Sequence, residues 1–359
     1  PVDDLFSIAD ADELLSRRGL RTPFLRMAAD GRVLPAGRFT GPGGAGAGVA
    51  DQVRDDAVLS LFADGATVVL QGLHRLWDPI RDLAADLADE LGHPVQVNAY
   101  ITPPQSQGFD PHYDTHDVFV LQVAGRKHWR VHAPVLVDPM PDQPWGQVAD
   151  DVAARAAEQP QIDTILTQGD CLYLPRGFIH SATALAEISV HLTFGIHNVT
   201  QRDVVSAALD ELRARGWEST LPVGWDPRGD LSGIRELMSE AAARLSALDP
   251  ATVAERMLAR RAAAQRPEPV APLATVQAAA RLTADSRVRL RRHLVAWLDQ
   301  QVLRVGDTHR VDVTLAQIPA VELLLPGKPQ RVGDLPGEDP VGLVARLMRE
   351  GVVVLTEDD

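Results

Sequence analysis

The stretch from Gly169 to His180, Gly-Asp-Cys-Leu-Tyr-Leu-Pro-Arg-Gly-Phe-Ile-His, predicts a strand, a tight turn and the start of a second strand. A β-rich run ends at Pro175, and Gly177 supplies the residue that such a turn needs. His180 is then presented by the first residues of the following strand. The pattern G-x5-P-x-G-x2-H is far more specific than a lone histidine, which makes His180 a candidate metal ligand.

The region around this stretch, residues 66–200, alternates short β-rich runs with turn-forming glycine, proline and aspartate. The runs cover residues 67–70, 95–102, 118–123, 128–132, 171–174 and 188–194. Many short strands separated by such turns indicate a sandwich or a barrel. Cys171 lies in one of these runs, and we expect it to be a small core residue and not a thiolate ligand.

The pattern becomes mainly helical after about residue 200. Helices rich in Ala, Leu, Arg and Glu are predicted over residues 204–215, 231–245 and 251–264. Prolines at positions 267, 269 and 272 indicate a linker. Near the end, a helix that carries Leu343 and Leu347 is followed by Gly351 and a strand over 352–355, an order compatible with a small winged-helix-like module.

The composition of the 359-residue chain is ordinary for a soluble protein, with 45% hydrophobic and 23% charged residues. Its net charge of −14 argues against a protein that coats nucleic acid or anionic membranes, and we expect neither partner. A single cysteine excludes an internal disulfide framework and a cysteine-rich zinc module. No apolar run approaches the ~20 residues of a membrane helix, and the opening residues show no signal-peptide pattern. We therefore expect a cytoplasmic location.

A possible metal site begins at His112 and Asp114, which are two residues apart. Residues at this spacing on a strand point to the same face. An imidazole and a carboxylate would then converge, as in the 2-His-1-carboxylate triad of non-haem Fe(II) oxygenases. A bare H-x-D is common by chance, so the prediction depends on a distant third ligand. We predict that His112, Asp114 and His180 bind Fe(II).

Other histidines compete for these roles. His116 is two residues beyond Asp114 and could share its face, while His191 lies on a later inward strand. We expect His191 to be a pocket residue and not a ligand, and the roles of both residues stay open at this point. For His128, His132 and His197 an ordinary structural or surface position is expected.

Two cupin motifs account for these residues together. Residues 169–180 match the second motif, and His112 to Gly125 match the first, with Asp114 in place of its second histidine. This replacement distinguishes iron oxygenases among proteins with a double-stranded β-helix. With further matches over 98–108 and 118–131, the chain resembles the JmjC-type ribosomal oxygenases, cupin-like proteins that hydroxylate ribosomal protein side chains. The resemblance is dense over residues 20–200 and thinner beyond.

The resemblance implies an α+β architecture in three parts. Residues 1–200 would form the catalytic double-stranded β-helix, a cupin/JmjC jelly roll. Residues 201–265 would form a helical dimerisation region, and residues 266–359 a C-terminal winged-helix-like domain. A homodimer that acts on a protein or peptide substrate, such as a ribosomal protein, is the implied assembly.

The resemblance also implies an Fe(II) enzyme that uses 2-oxoglutarate as co-substrate. Lys127 matches the basic residue that pairs with the distal carboxylate of 2-oxoglutarate, and Asn98 and Tyr100 match polar side chains of the co-substrate pocket. Electrostatics agrees for Lys127: ferrous iron with one carboxylate leaves a charge of +1, so a bound dianion needs a second cation at its far end.

Purely structural roles stay open for each of these residues, and other functions stay open for the protein. Lys127 could be an ordinary hairpin lysine, and Asn98 and Tyr100 could make structural hydrogen bonds in the barrel wall. The acidic charge would attract a basic peptide but is not suited to an RNA-bearing surface. A metal-dependent cupin enzyme of another reaction type, such as an isomerase, and a non-catalytic regulatory protein are the competing functions. Demethylation is expected less than hydroxylation, and the sequence does not identify the oxidised residue.

Overall fold

The computed structural model describes residues 2–29, 31–221 and 223–356. The chain divides into two compact units, Pro1–Asn198 and Val199–Asp359. The finer division of the second unit at residue 265 stays a prediction. No helix among the described residues is both long and apolar enough to cross a membrane.

The first unit is built mainly from antiparallel strands. Its strands are β1 (Leu25–Ala29), β2 (Arg32–Val33), β3 (Thr40–Gly41), β4 (Gln52–Val53), β5 (Thr67–Leu70), β6 (Val95–Thr102), β7 (Asp117–Ala124), β8 (Lys127–His132), β9 (Ile162–Leu166), β10 (Cys171–Leu174), β11 (Ile179–Ala184) and β12 (Ser189–Ile196). Its helices are α1 (Ile8–Arg17), α2 (Asp55–Ala63), α3 (Asp78–Leu91) and α4 (Ala149–Ala156).

Two antiparallel sheets form the jelly roll. The larger sheet has the order β10-β7-β12-β6-β5-β1-β2, and the smaller has the order β11-β8-β9. Between them lies an apolar cluster that includes Val120 and Leu174 of the larger sheet and Trp129 and Val131 of the smaller. The predicted double-stranded β-helix is therefore confirmed.

Strand β6 shows how the sequence separates the two faces of the larger sheet. Val97, Ala99 and Ile101 are buried in the main core, which also contains residues of α1, α2 and α3. Because successive side chains on a strand point to opposite faces, Asn98 and Tyr100 face the interior of the jelly roll. The apolar face of β6 thus packs in the core that the helices share, and its other face presents polar side chains to the interior of the jelly roll.

The strand predictions are confirmed over 67–70, 95–102 and 171–174, and the others are correct to within two residues. The expectation for Cys171 is wrong, because this residue is exposed. Strand β10 lies at the edge of the larger sheet, where Leu174 points inward and Cys171 and Tyr173 point to solvent. Strands β1 to β4 and β9 were not anticipated.

The second unit combines helices with two small sheets. Its helices are α5 (Gln201–Ala214), α6 (Leu231–Ser246), α7 (Pro250–Ala264), α8 (Pro272–Ala280), α9 (Ile318–Leu324) and α10 (Pro340–Arg349). Its strands are β13 (Arg287–Leu290), β14 (Ala296–Asp299), β15 (Val302–Val305), β16 (His309–Asp312), β17 (Gln330–Arg331) and β18 (Val353–Leu355). The sheets have the orders β17-β13-β18 and β14-β15-β16.

Capping residues define the helices of this unit. Thr200 and Asp203 form a capping box at the start of α5, and the Asp230 and Asp249 side chains accept backbone hydrogen bonds at the starts of α6 and α7. The three predicted helices and the terminal helix–strand pair are confirmed. Helix α10 buries Leu343 and Leu347 in a separate core of the second unit.

Candidate metal site

Two segments far apart in sequence bring the predicted metal ligands together. His112 and Asp114 lie in the connection between β6 and β7, and His180 is the second residue of β11. An isolated antiparallel bridge joins His112 to His180. The strand geometry from which their convergence was argued is present only in part, since His112 forms the bridge and Asp114 follows in irregular backbone. The convergence of their side chains is nevertheless as predicted.

The three side chains have the geometry of a metal site. One ligand atom from each of His112, Asp114 and His180 lies within 4.8 Å of the other two. The His180 Nε2 atom is 3.8 Å from the Asp114 Oδ2 atom, and the two imidazole rings are 4.5 Å apart between centroids. His180 is buried, whereas His112 and Asp114 are half-buried. Two imidazoles and one carboxylate around one point form a facial donor set with room for further ligands.

Backbone carbonyls fix which nitrogen of each imidazole faces the site. The His112 Nδ1 atom lies 2.7 Å from the Asp110 oxygen, and the His180 Nδ1 atom lies 3.0 Å from the Phe178 oxygen. A carbonyl oxygen can only accept, so each Nδ1 carries the proton and each Nε2 offers its lone pair. Metal-binding histidines are commonly oriented in this way.

Electrostatics keeps the donors in the protonation states that a metal requires. Burial raises the pKa of Asp114, but the nearby His180, His112, His116 and Arg26 outweigh it, and the net pKa lies below its usual value. Burial and the neighbouring His112 lower the pKa of His180 to about 4. Asp114 is therefore ionised and His180 neutral at physiological pH.

The donor set opens into a cavity of about 210 Å³ in the jelly roll. Asn98, Tyr100, Lys127 and His191 line this cavity together with the metal-site residues. All of the residues predicted for co-substrate binding thus reach the same space. His191 is a pocket residue, as expected.

Lys127 is the first residue of β8 and is only 4% exposed. Its Nζ atom donates to Thr102 Oγ1 at 3.0 Å and lies 3.4 Å from His191 Nδ1. Burial lowers the pKa of Lys127 to about 7. Burying an amine without an anionic partner is costly, and this arrangement is typical of a site that receives a negatively charged group.

Asn98 and Tyr100 point to the cavity from β6. Asn98 Oδ1 accepts from the Gly72 backbone N–H at 3.0 Å, so its amide also has a structural role. Tyr100 stacks on His191 with the ring centroids 5.0 Å apart and nearly parallel. Burial and the Asp114 charge raise the pKa of Tyr100 to about 12, so its hydroxyl keeps its proton.

Three residues in or directly behind the cavity wall were missed or left open by the sequence. Thr102 lies two positions after Tyr100, and the period of two along β6 would have placed it on the same face. Arg26 of β1 lines the cavity, and its Nε atom is buried with no hydrogen-bond partner among the described residues. His116 lines the cavity and stacks on His197, with 4.9 Å between ring centroids.

The candidate metal site lies within a segment that matches a known family. Residues 75–204 match the model of the JmjC domain family. The chain is 35% identical over 151 residues to the bifunctional lysine-specific demethylase and histidyl-hydroxylase NO66 of Drosophila mojavensis, and 32% identical over 198 residues to human ribosomal oxygenase 1. These alignments cover 39% and 54% of this chain but only 16% and 28% of those proteins.

Solved structures extend the similarity of fold to nearly the whole chain. The crystal structure of the Escherichia coli ribosomal oxygenase YcfD aligns with a TM-score of 0.57 at 18% identity, covering 98% of this chain and 91% of that one. Another structure of YcfD, in complex with cobalt and 2-oxoglutarate, aligns with a TM-score of 0.53 at 18% identity, covering 99% and 91%. Residues 75–204 of this chain match the JmjC domain family, and the predicted resemblance to the JmjC-type ribosomal oxygenases is confirmed.

Proposed function

We propose that this protein is an Fe(II)- and 2-oxoglutarate-dependent dioxygenase that hydroxylates a protein or peptide side chain. In this reaction a C–H bond, O₂ and 2-oxoglutarate become C–OH, succinate and CO₂. The single observation that carries the proposal is the donor set of His112, Asp114 and His180 beside a cavity. The resemblance of the chain to NO66 and ribosomal oxygenase 1 supports the same reaction class.

The donors fit ferrous iron better than the other common metals of enzymes. Two neutral imidazoles and one carboxylate with open positions are the ligand set of non-haem Fe(II) oxygenases. When bound, the iron supplies the oxidising chemistry. The chain itself holds the two Nε2 lone pairs and the carboxylate in place and encloses the reaction in the jelly roll.

The remaining pocket residues fit a dicarboxylate. We assign Lys127 to the distal carboxylate of 2-oxoglutarate, because it is more deeply buried than Arg26, the other cation of the cavity wall, and has no carboxylate partner among the described residues. Its ammonium would complete the charge balance of the ferrous site and the dianion. Asn98 and Tyr100 would orient the co-substrate through their amide and hydroxyl groups.

The substrate is proposed to be a protein, and a ribosomal protein is the first candidate. Two observations support this: the names of the relatives, and a net charge of −14 that favours encounter with a basic partner. The relative NO66 is named for both lysine demethylation and histidine hydroxylation. Mass spectrometry separates these outcomes, because hydroxylation adds oxygen to a peptide and demethylation removes a methyl group.

Turnover of 2-oxoglutarate is the first test. The purified protein with Fe(II), ascorbate and 2-oxoglutarate should release succinate, and peptide digests of a deletion strain should lack a +16 Da modification that the parent strain contains. No metal-dependent succinate with any tested protein extract would favour a cupin enzyme of another type. A tight, salt-dependent complex with DNA would favour a regulatory protein.

The finer architecture and setting of the protein are proposed in the same terms. We propose a homodimer through residues 201–265, supported by apolar side chains exposed on α5 and α6, such as Val205 and Met238. Light scattering at micromolar concentration should give twice the monomer mass, and a monomer would refute the dimer. We also propose a winged-helix-like domain at residues 266–359 and a cytoplasmic location, the latter supported by the lone cysteine.

A further inference from the structure

The ammonium group of Lys127 has three N–H donors, and two of them have acceptors within the protein. One is directed to Thr102 Oγ1 at 3.0 Å and another to His191 Nδ1 at 3.4 Å. An ammonium group has no acceptor atom. The third donor is therefore the one that remains for a ligand in the cavity, and its direction is set by the other two contacts.

His191 must be an acceptor in this contact. In the charged form of Lys127, which a bound carboxylate favours, the ammonium can only donate, so His191 Nδ1 is unprotonated and the proton of the neutral ring lies on Nε2. Burial and the neighbouring Lys127 charge lower the pKa of His191 well below its usual value, so a neutral ring is favoured. The ring is 4% exposed, and this burial disfavours its charged form.

The position of His191 is fixed from several sides. It is paired with Tyr100 of β6 and with Gln122 of β7, so it lies on a strand held along both edges. Its ring stacks on Tyr100 and meets the edge of Trp129 at 5.2 Å between centroids and an angle of 82°. An acceptor held this firmly can orient a flexible lysine side chain.

We propose that His191 is a positioning residue for Lys127, whose Nδ1 acceptor, with the hydroxyl of Thr102, aims the free N–H of the ammonium at the distal carboxylate of 2-oxoglutarate. The inference rests on the proposed function. It goes beyond that function by giving His191 and Thr102 a role through Lys127 without contact to the metal.

The test compares two ligands that differ only in the distal carboxylate. The probes are 2-oxoglutarate and 2-oxopentanoate, each titrated calorimetrically into Co(II)-loaded protein. His191→Leu keeps much of the volume but removes the acceptor. We expect it to weaken 2-oxoglutarate binding about 10- to 150-fold, the range of a lost hydrogen bond to a charged group, and to leave 2-oxopentanoate binding unchanged. The KM for 2-oxoglutarate should rise in parallel, with kcat at saturation changed less than about 3-fold.

A conservative variant and a control sharpen the result. His191→Asn can place its amide oxygen near the position of Nδ1, and we expect it to restore most of the 2-oxoglutarate affinity. His128 follows Lys127 on β8 and does not line the cavity. His128→Asn should therefore leave the affinity for both ligands unchanged. Thr102→Val is a nearly isosteric second variant that should reproduce the selective loss if His191→Leu fails to fold.

Equal losses for both ligands, or no rescue by asparagine, would show that His191 only supports the fold, and this would overturn the proposal. Unchanged 2-oxoglutarate affinity in both His191→Leu and Thr102→Val would overturn it as well. The proposed function fails in a different way: the unmodified metal-loaded protein would not bind 2-oxoglutarate.

Discussion

His112 and His180 exchange both of their backbone hydrogen bonds. The His180 N–H donates to the His112 oxygen at 2.8 Å, and the His112 N–H donates to the His180 oxygen at 3.2 Å. These bonds do not involve the imidazole rings. The backbone therefore brings the two imidazoles to one place whether or not a metal binds them, and the site is formed in advance.

The independence of this bridge from the side chains predicts the behaviour of His180→Ala. The chain should keep its fold, because the bridge remains, but metal-dependent succinate production should fall by more than about 100-fold. Loss of groups that only orient metal ligands already costs 10- to 100-fold, and His180 is proposed as a ligand itself. Succinate assays and far-UV circular dichroism measure the two effects, with His128→Ala as control. Unchanged succinate production would mean that another residue is the third ligand.

A trade between stability and binding is expected at Lys127. Lys127→Met should raise the free energy of unfolding by about 1–4 kcal/mol at pH 6, because an apolar side chain replaces a buried cation with no anionic partner. The same variant should lose 2-oxoglutarate binding. Urea unfolding and calorimetry measure the two quantities, and a less stable variant would contradict the prediction.

The stability gain in Lys127→Met should depend on pH. The pKa of Lys127 is lowered from 10.5 to about 7 in the folded protein. Below pH 7 both the folded and the unfolded states carry the charge, so the full cost of burying it is present. Between pH 7 and 10.5 the unfolded state binds more protons, and the stability of the unmodified protein rises with pH relative to the variant. The urea midpoints of the unmodified protein and of Lys127→Met should therefore converge as the pH rises from 6 to 10.

Binding of 2-oxoglutarate should be accompanied by proton uptake at pH 8. The free amine of Lys127 is largely neutral at this pH, and an incoming carboxylate favours the ammonium form. Calorimetry in buffers of different ionisation enthalpy measures the number of protons. Lys127→Arg is the matched control, because a guanidinium is always charged and no uptake should remain at this position. Equal uptake in both proteins would assign the protons to another group.

The turn before His180 should not tolerate a side chain at Gly177. This glycine has φ of +89°, and a Cβ atom there would lie 2.6 Å from the Leu136 backbone oxygen. We expect Gly177→Ala to destabilise the protein by roughly 1–3 kcal/mol. Gly146→Ala is the control, since a Cβ atom at Gly146 meets nothing within 4 Å. Equal thermal midpoints for the two variants would contradict the prediction.

Local patterns in the sequence predicted the strands and much of the site. The period of two in β6 placed Asn98 and Tyr100 on the cavity face, and the turn signals at Pro175 and Gly177 located β11 and His180. These features depend on neighbours in sequence, which is why a single sequence can reveal them.

The features that were missed depend on distant parts of the chain. The convergence of His112 and Asp114 was argued from strand geometry, but only His112 forms a β-bridge, and the Asp114 oxygen accepts instead from the turn residue Gly177. The exposure of Cys171 depends on the position of β10 at the edge of its sheet. The contact between Lys127 and His191 joins two strands whose spacing in the chain carries no signal.

The bridge between His112 and His180 also closes a loop of about seventy residues, and closing a loop of that length costs conformational entropy. A metal ion held by both histidines would tie the same two points together and so act as a removable cross-link of the unfolding chain. Chelation of the metal should then release this restraint and lower the thermal midpoint, so the melting temperature becomes a gauge of metal content.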